Sequence, residues 1–557
     1  MTNVFVNKYL NMRLFLILFS FLFFSHFETS GQMTTKANLI IKNAKIYTVN
    51  KKFTIDEALV VSKGKFLAIG NDRDILKRFI ADTVIDAEGK PIYPGFIDAH
   101  CHFYGYALSL QQVDLTGSKS FEEVLAILHD KSRNIPGEWL VGRGWDHNKW
   151  PGKRFPDRSL LDKEFPGRPV VLIRIDGHVV LANGEALKRA GIGPKNSFQP
   201  GEVEIENGTL TGILSENAAD RMRNTIPVPD NIILSELLGR AEQDCFTVGL
   251  TGVSDAGLEF EQVQVIDSLQ KGGILKIHVY GMLAPSEKNI ENFVKKRKYI
   301  TNGLTIRSIK LYSDGSLGSR TALLKKPYSD DPGKTGILAN TVDTISKLCQ
   351  LAFTNGYQVN THAIGDSAVK IVLNIYSKFL TGSNDLRWRI EHSQVVDPAD
   401  MPLFGKYCII PSIQSTHATS DMYWAGERLG SQRIKWAYAY KELLDQNGWL
   451  PNGTDFPIEG INPILTFYAA VARKDLKGWP DNGFQAENAL SREEALRSIT
   501  IWAAKANFDE NLMGSIETGK RADFVILDKD IMTVPEKEIP TVKVNKLFIE
   551  GVNIYEK

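Results

Sequence analysis

Through residues 91–504, short apolar runs of strand character alternate with longer amphipathic stretches of helical character, such as "DTISKLCQLAFTNG" at 343–356. Repeated strand-then-helix order predicts a parallel sheet covered by helices, either a closed barrel or an open doubly wound sheet. Eight strand candidates favour an α/β fold of the TIM-like (β/α)8 barrel type. The candidates are Phe96–His102, Thr251–Asp255, Leu275–Met282, Ile306–Asp314, Gln358–His362, Trp388–His392, Cys408–Gln414 and Trp449–Asp455.

Two further regions flank or interrupt this barrel. The interval between the first and second strand candidates is too long for one crossover, so we interpret residues 138–225 as an inserted subdomain. Its own strand is "PVVLIRIDGH", and "PGEVEIENGTLTGIL" is a glycine-rich stretch within it. Short apolar runs separated by turns fill residues 38–90 and 505–557. They predict a small β-sandwich assembled from both ends of the chain.

The N-terminus has the pattern of a secretory signal peptide. Lys8 and Arg13 precede the apolar run Leu14–Phe24, and small and polar residues follow it. The run is short for a membrane span, which needs about 20 residues. We therefore expect residues 1–31 to be removed and the mature protein to be secreted or periplasmic, without stable membrane insertion. An uncleaved anchor is the alternative.

Charge and cysteine content exclude several classes of function. The 557 residues carry a net charge of +1, with no basic stripe of the kind that binds nucleic acid. The four cysteines are widely spaced, with no CxxC pair, so nothing in their spacing demands a disulfide. We expect a small-molecule partner and no nucleic acid, and we leave a homodimer open.

Lys310 is unusual because it lies in the middle of the fourth strand candidate. Strand side chains alternate between faces, so Lys310 shares a face with Ser308 and Tyr312. Ile309 and Leu311 share the other face. If the two apolar residues pack in a core, Lys310 points the opposite way. Taken alone, it would be interpreted as a solvated lysine of an edge strand.

Histidines recur where several predicted strands end. His100 and His102 lie at i and i+2 on the first strand, on one face. His362 ends the fifth strand, His392 ends the sixth, and Asp455 ends the eighth. The C-terminal ends of barrel strands meet at the rim that holds the active site. Imidazole and carboxylate groups converging there predict a site for zinc or a similar divalent ion.

These motifs together resemble the amidohydrolase superfamily. The resemblance rests on "PGFIDAHCH", the later histidines and aspartate, and the tail "GSIETGKRADFVILDKD". Four further motifs resemble the amidohydrolase-3 branch that includes N-substituted formamide deformylases: "GRGWDHNKWP", "DGHVVLAN", "KLYSDGSLGSRTA" and "SIQSTHATSDMYWAGERLG".

The resemblance implies a division of roles around one or two divalent ions, with Zn²⁺ favoured. His100, His102 and Asp455 would bind one metal, and His362 and His392 the second. Lys310 would bridge the metals as a carboxylated lysine, or, in a one-metal enzyme, would pair with Asp314 or contact substrate. Asp455 would also be the catalytic base.

Other residues are expected to act on the substrate rather than on the metal. His178 is a candidate catalytic residue that would bind the substrate or polarise its carbonyl, with a structural role as the alternative. Cys101 and His278 are interpreted as structural. Candidate substrate contacts are Trp145, Asp146, Asp314, Arg320, His417 and Asp421.

The predicted activity is hydrolysis of a C–N amide-type bond, in an N-acyl, N-formyl or cyclic amide, by a metal-activated hydroxide. Two alternatives stay open. One is an esterase or lactonase with the same site. The other is a non-catalytic regulatory or binding protein on the same scaffold, because the resembling branch includes proteins described as exoenzyme regulators.

Overall fold

The computed structural model describes residues 34–557, except for 134, 136, 195, 197, 199 and 200. The predicted signal peptide, residues 1–31, lies outside the described residues, so its removal and the export of the chain stay predictions. Within the described part of the chain, no helix combines the length and the apolar character that crossing a membrane requires.

The centre of the molecule is the predicted (β/α)8 barrel. Seven strands pair side by side, all in parallel. A two-residue antiparallel strand, Tyr299–Ile300, pairs with the fourth of them. In chain order, the barrel strands are Phe96–Cys101, Leu250–Leu258, His278–Leu283, Leu304–Tyr312, Gln358–Ala363, Arg389–His392 and Ile410–Ser412.

The eighth segment of the barrel is irregular, whereas the sequence predicted a regular strand there. Trp449–Asp455 was expected to be a regular strand, but it forms only a bridge between Asn452 and Ile413. The segment still joins the seventh strand to the first. Gly453 N–H donates to the Ile413 carbonyl at 2.9 Å, and Asp455 N–H donates to the His100 carbonyl at 2.7 Å. The barrel is therefore closed by hydrogen bonds from an irregular segment.

Helices surround the barrel and bury its apolar outer face. Ile309 and Leu311 belong to this outer core, as their alternation predicted. The principal helices of this layer are Asn231–Thr247, Phe260–Lys271, Val342–Thr354, Asp366–Tyr376, Pro402–Lys406, Ser415–Asp421, Ala425–Arg433, Tyr440–Asn447, Pro463–Ala472, Arg492–Ser498 and Ile501–Ala506.

The floor of the barrel is polar and hydrogen-bonded. Arg389 is fully buried and donates from Nη2 to the Ala506 carbonyl and to Asn507 Oδ1, both at 2.6 Å. Gln358 accepts from the Tyr280 hydroxyl at 2.8 Å. Arg389 and Gln358 lie at the N-terminal ends of their strands, so this network fills the end of the barrel opposite the C-terminal ends of the strands.

Both ends of the chain form β-structure beside the barrel. One sheet contains Lys65–Gly70, Ala58–Ser62, Thr35–Lys42 and Phe79–Asp86. A second contains Val552–Glu556, Val544–Ile549, Phe524–Leu527, Pro91–Pro94, Lys45–Tyr47 and Ile55–Asp56. Side chains of both sheets share one apolar core that includes Leu39, Phe66, Ile92, Phe524 and Phe548. The short helix Asp72–Arg78 packs on the first sheet.

The insertion after the first barrel strand carries a sheet of its own. Its strands, in spatial order, are Val203–Glu206, Thr209–Ser215, Val179–Ala182, Val170–Arg174, Leu140–Trp145 and Val113–Asp114. The sheet therefore starts at Val113, before the predicted boundary at residue 138. The helices of this region are Phe103–Ser109, Phe121–Ser132, Ser159–Glu164, Gly184–Arg189 and Glu216–Arg223.

Candidate metal centre

The first barrel strand and the residue after it position two imidazole side chains, those of His100 and His102. His100 is fully buried, and its Nδ1 lies 2.6 Å from Glu391 Oε2. His102 follows the strand, and its Nδ1 lies 3.0 Å from the Ala256 carbonyl oxygen. A carbonyl oxygen only accepts hydrogen bonds, so Nδ1 of His102 must carry the proton. In both rings Nε2 is left toward the centre, the arrangement typical of metal-binding histidines.

Asp455 meets these two rings at one point. Its Oδ1 lies 3.2 Å from His102 Nε2 and 3.6 Å from His100 Nε2. The oxygen is buried and receives no hydrogen bond of favourable geometry. Burial lowers the pKa of His100 and keeps that ring neutral. Two imidazole nitrogens and a carboxylate oxygen therefore converge on one point, which is the donor set that a divalent cation binds.

A second group of potential ligands shares the same carboxylate. His392, His417 and Asp455 also place one ligand atom each within 4.8 Å of one another. His392 is oriented by Gln414, whose Oε1 lies 2.7 Å from Nδ1. His417 Nε2 lies 3.7 Å from Asp455 Oδ2, and it is buried without a hydrogen-bond partner. His417 was expected to contact substrate, whereas its position also makes it a potential metal ligand.

Lys310 points into the barrel rather than into solvent. It is only 1% exposed, and its Nζ lies 3.1 Å from His100 Nε2. Burial lowers the pKa of Lys310 to about 8, against the opposing effect of Glu391 and Asp455. The alternative of a solvated edge-strand lysine is therefore wrong. No ion pair within 4 Å joins Lys310 to Asp314 in the described structure, which argues against that pairing as well.

His362 lies beside the two groups without joining either. Its ring is 4.5 Å from that of His392 between centroids, so it is close to the predicted centre. Its Nε2, however, lies 3.2 Å from the Gly315 carbonyl oxygen. Burial lowers the pKa of His362 well below its ordinary value, so the ring is neutral. The structure places His362 at the cavity wall near the second ion predicted from the sequence.

The backbone around the centre adopts uncommon conformations. Asp455 has φ of +61° and His392 has φ of +72°, both in the left-handed region. Non-glycine residues are uncommon in this region, because it crowds the Cβ against the backbone. Gly453 is needed for close approach, because a Cβ there would lie 2.5 Å from the His100 backbone nitrogen. Asp98 on the first strand holds this segment in place by accepting a hydrogen bond from the Thr454 hydroxyl at 2.7 Å.

A cavity of about 730 Å³ opens above the centre and is walled by barrel loops and by the insertion. His178, on the insertion, lines it, and its Nδ1 lies 2.9 Å from Glu216 Oε2. Burial alone would lower the pKa of His178, but Glu216 and Asp176 outweigh it and raise the pKa to about 9. The ring of His178 therefore faces the cavity as a cation, 4.9 Å from the ring of His362.

Asp146 and Asp421 also line the cavity, as predicted for substrate contacts. Asp146 Oδ1 accepts from Arg174 Nη2 at 2.6 Å, which fixes the carboxylate. Asp421 accepts from the Tyr438 hydroxyl at 2.8 Å. Burial raises the pKa of Asp421 to about 7.

Three residues predicted to contact substrate do not line this cavity. Trp145 turns away from the cavity, and its Nε1–H donates to the Leu172 carbonyl. Asp314 is fully buried and accepts from backbone N–H groups, among them that of Gly365 at 2.8 Å, so it organises the loops. Arg320 pairs with Asp330 at 2.8 Å, and neither residue lines the cavity.

Comparison with known proteins decides the family. A model described as the amidohydrolase family matches residues 83–555 of the chain. The chain belongs to the amidohydrolase family. This confirms the resemblance seen in the motifs, including its branch.

Similar proteins cover nearly the whole of this amidohydrolase. It is 31% identical over 539 residues to Protein LONG AFTER FAR-RED 3 of Arabidopsis thaliana, with 93% of this chain and 92% of that protein covered. It is 28% identical over 557 residues to N-substituted formamide deformylase of Arthrobacter pascens, with 94% and 99% covered. A crystal structure of an uncharacterized metal-dependent hydrolase from Pyrococcus horikoshii OT3 matches with a TM-score of 0.74 at 30% identity, covering 89% and 99%.

Several residues that build the site of this amidohydrolase were missed in the sequence. Glu391 orients His100, Gln414 orients His392, and Glu216 holds His178. Glu391 directly precedes a predicted ligand, so the pair Glu-His at a strand end was a usable signal. Glu216 gave no signal, because it approaches His178 only through the folding of the insertion.

Proposed function

We propose that this amidohydrolase is a metal-dependent hydrolase that cleaves the C–N bond of a small amide, in an N-acyl, N-formyl or cyclic form. The observation that carries the proposal is the convergence of His100 Nε2, His102 Nε2 and Asp455 Oδ1 on one point, where the buried Oδ1 receives no hydrogen bond of favourable geometry. The cavity above, of about 730 Å³, suits a small-molecule substrate.

The donor set suits zinc or a similar ion, because imidazole nitrogen and carboxylate oxygen are its usual ligands. His100, His102 and Asp455 would hold one ion. Lys310 and the histidines of the fifth and sixth strands would hold the second, with His417 as a further ligand. Such ions, when bound, supply Lewis acidity and make water a nucleophile at neutral pH.

Asp455 is proposed as the base that moves the proton. Burial alone would raise its pKa, but His102, His100 and His392 outweigh burial and hold the pKa well below its usual range. The residue is therefore a carboxylate at neutral pH. Its oxygen atoms accept the proton of the attacking water and return it to the leaving nitrogen.

His178 is proposed to bind the carbonyl oxygen of the substrate. Its Nδ1 is engaged by Glu216, which leaves the Nε2–H of the cationic ring as the donor available to the cavity. Charge develops on the carbonyl oxygen during hydrolysis, and a fixed cationic donor stabilises that charge more than it stabilises the neutral amide. The insertion would thus supply one part of the catalytic apparatus and the barrel the other.

Lys310 is proposed to be carboxylated. A lysine ammonium has no lone pair and cannot be a ligand. A neutral amine reacts with CO₂ to give a carbamate and releases a proton, and the carbamate offers two anionic oxygens on a long side chain. Nζ already lies 3.1 Å from a proposed ligand nitrogen of His100, so the group would enter the centre without movement of the backbone.

The test is a hydrolase screen of the purified chain with Zn²⁺, Mn²⁺ or Co²⁺ added. The substrates would be N-formyl, N-acyl and cyclic amides, together with matched esters and lactones. We expect metal-dependent release of amine from at least one amide class. Turnover of esters or lactones without any amide would change the assigned bond. Full activity without metal, or metal binding with no hydrolysis of any substrate, would contradict the proposal.

A further inference from the structure

Arg143 lies in the cavity wall without a partner. The residue is on the insertion strand Leu140–Trp145 and lines the cavity above the candidate metal centre. Its Nε is buried and makes no hydrogen bond. No described residue forms an ion pair with it within 4 Å. Burial lowers the pKa of Arg143 to about 10, which still leaves it charged at neutral pH. The side chain as a whole is half-buried, so a charged guanidinium with a buried Nε faces the cavity.

Two buried arginines nearby, Arg174 and Arg428, are each paired with a carboxylate. Arg174 pairs with Asp146 at 2.6 Å and with Asp176 at 2.5 Å. Arg428 pairs with Asp330 and also donates to Asn148. A buried charge is costly unless it is paired. The contrast indicates that the partner of Arg143 is supplied from outside the chain.

A local irregularity turns Arg143 toward the cavity. Alternation would put Arg143 and Trp145 on the same face, but the register of the strand shifts between them. Gly144 has φ of +107°, and a Cβ there would lie 2.4 Å from Thr116 Oγ1. A bulge of this kind re-aims side chains. It sends Trp145 into the apolar core of the insertion and leaves Arg143 at the cavity.

The acidic residue nearest in register does not neutralise Arg143. Asp114 is directly opposite Arg143 on the adjacent strand. Its Oδ1 accepts from the Thr116 N–H at 2.9 Å, and no Asp114–Arg143 ion pair forms within 4 Å. Lys149 is another cation that lines the cavity, but its side chain is exposed. An exposed ammonium keeps its water and needs no partner.

We propose that Arg143 binds a carboxylate of the substrate, so that the substrate is an acidic amide such as an N-acyl or N-formyl amino acid. This deepens the proposed function and rests on it. A guanidinium offers two parallel N–H donors that match the two oxygens of a carboxylate. A neutral amide would leave the desolvated charge unpaired. Anchoring a group remote from the scissile bond also positions the amide over the metal centre.

The kinetic test compares substrates of equal size that differ in one charge. Each N-formyl amino acid of glycine, alanine and phenylalanine is paired with its carboxamide. We expect the wild-type protein to prefer the acids by at least tenfold in kcat/KM, mainly through KM. Arg143→Gln should remove that preference, and Arg143→Lys should restore part of it. Lys149→Gln, which removes the exposed cation, should retain the preference. Equal use of acids and carboxamides by the wild type, or loss of the preference only in Lys149→Gln, would overturn the proposal.

A binding measurement separates this inference from the proposed activity. The same pairs are titrated by calorimetry into the metal-loaded Asp455→Asn variant, with and without Arg143→Gln. We expect the acids to bind more tightly than the carboxamides only when Arg143 is present. That result would support the acid site even if no substrate were hydrolysed. Hydrolysis of neutral amides without any difference in binding would leave the activity standing and refute the role of Arg143.

Discussion

Asp455 lies where three imidazoles meet, and its two oxygens serve different neighbours. Oδ1 faces His100 and His102, whereas Oδ2 faces His417. A carboxylate so placed can hold an ion and still receive a proton. The two roles are separable by substitution, because asparagine keeps the shape and one oxygen but cannot take up the proton.

We expect Asp455→Asn to lose turnover while retaining much of the bound metal. The remaining imidazoles still offer ligands, but the proton acceptor is gone. Steady-state kcat and metal content per chain are the measurements. Retention of more than about a tenth of kcat, or roughly 1.4 kcal/mol in the barrier, would show that Asp455 is not the essential base. Asp397→Asn is a matched control, since Asp397 pairs with Lys325 outside the cavity and should leave kcat unchanged.

Lys310 allows a sharper test, because its proposed role needs a covalent modification. Lys310→Ala should lose metal and activity together, and acetate or propionate should restore part of the activity by occupying the gap. Lys310→Met preserves the volume of the side chain but cannot form a carbamate, so it should fail like alanine and resist rescue. Metal content and kcat with and without added acid are measured for each. An alanine variant with full activity would show that Lys310 has no such role.

Simple alternation along a strand predicted some of these positions and failed at others. It correctly separated Lys310 from Ile309 and Leu311. Alternation would place His392 on the same face as Ile390, yet Ile390 packs in the outer core while His392 reaches the centre. The left-handed φ of His392 reverses its direction at the strand end. Such a backbone conformation is imposed by the surrounding structure, so the neighbouring residue types do not predict it.

At the scale of elements, backbone conformations imposed by the surrounding structure also explain why the eighth strand is irregular. Pro451 has no N–H to donate, Gly453 approaches the first strand closely, and Asp455 has positive φ. The apolar pattern predicted that a segment would occupy this position, and hydrogen bonds to both neighbours confirm it. These three local features prevent a regular ladder of backbone hydrogen bonds. The pattern of apolar residues does not predict them.

The insertion is attached to the barrel through buried polar contacts. Asn148 Nδ2 donates to the Gly318 carbonyl at 3.2 Å, and Arg428 Nη2 donates to Asn148 Oδ1 at 2.5 Å. His147 lies within this junction, with Nδ1 accepting from Arg174 Nε at 3.2 Å. His147 received no role from the sequence, because only the packed junction surrounds it with cations.

That environment predicts a dependence of stability on pH. Burial, then Arg174, Arg428 and Arg320, lowers the pKa of His147 far below its ordinary value. Its ring also packs on Phe155, with centroids 4.1 Å apart. The unfolded chain therefore binds a proton at His147 below about pH 6.5, and the folded chain does not. Stability contributed by the neutral ring is complete above that pH and is lost as pH falls, by about 1.4 kcal/mol at one unit below.

The measurement is the melting temperature Tm at pH 7.5 and pH 5.5. His147→Gln keeps an acceptor for Arg174 but cannot titrate, and the other histidines of the chain are common to both proteins. We expect the fall in Tm on acidification to be smaller in His147→Gln than in the wild type. An identical fall in both proteins would show that His147 does not limit the stability of the junction in acid.

At the scale of the whole molecule, the alternation of strands and helices predicted the barrel. The long interval after the first strand predicted an insertion, and the short apolar runs at both ends predicted β-structure there. The start of the insertion was harder to predict, because Val113–Asp114 is too short to be recognised as a strand. The contribution of His178 and Arg143 to the cavity could not be predicted from the sequence, for a different reason. It depends on how the sheet of the insertion faces the barrel, and long-range contacts such as that between Asn148 and the Gly318 carbonyl hold that orientation.

The proposed ligands lie far apart along the chain, so the bound ion should stabilise the fold as well as the site. His100 is on the first barrel strand, His392 ends the sixth, and Asp455 follows the seventh. An ion that binds only the folded chain at 100 times its Kd adds about 2.7 kcal/mol. Removal of metal by a chelator should therefore abolish activity and lower Tm by at least about 2 °C.

Readdition of Zn²⁺, Mn²⁺ or Co²⁺ should restore both quantities together if one centre is responsible. His100→Ala is the matched control: with a ligand missing, its Tm should be low from the start and change little on chelation. Loss of activity with no change in Tm would assign the metal a catalytic role without a structural one. A Tm that falls equally in wild type and His100→Ala would locate the stabilising ion elsewhere and contradict the proposed centre.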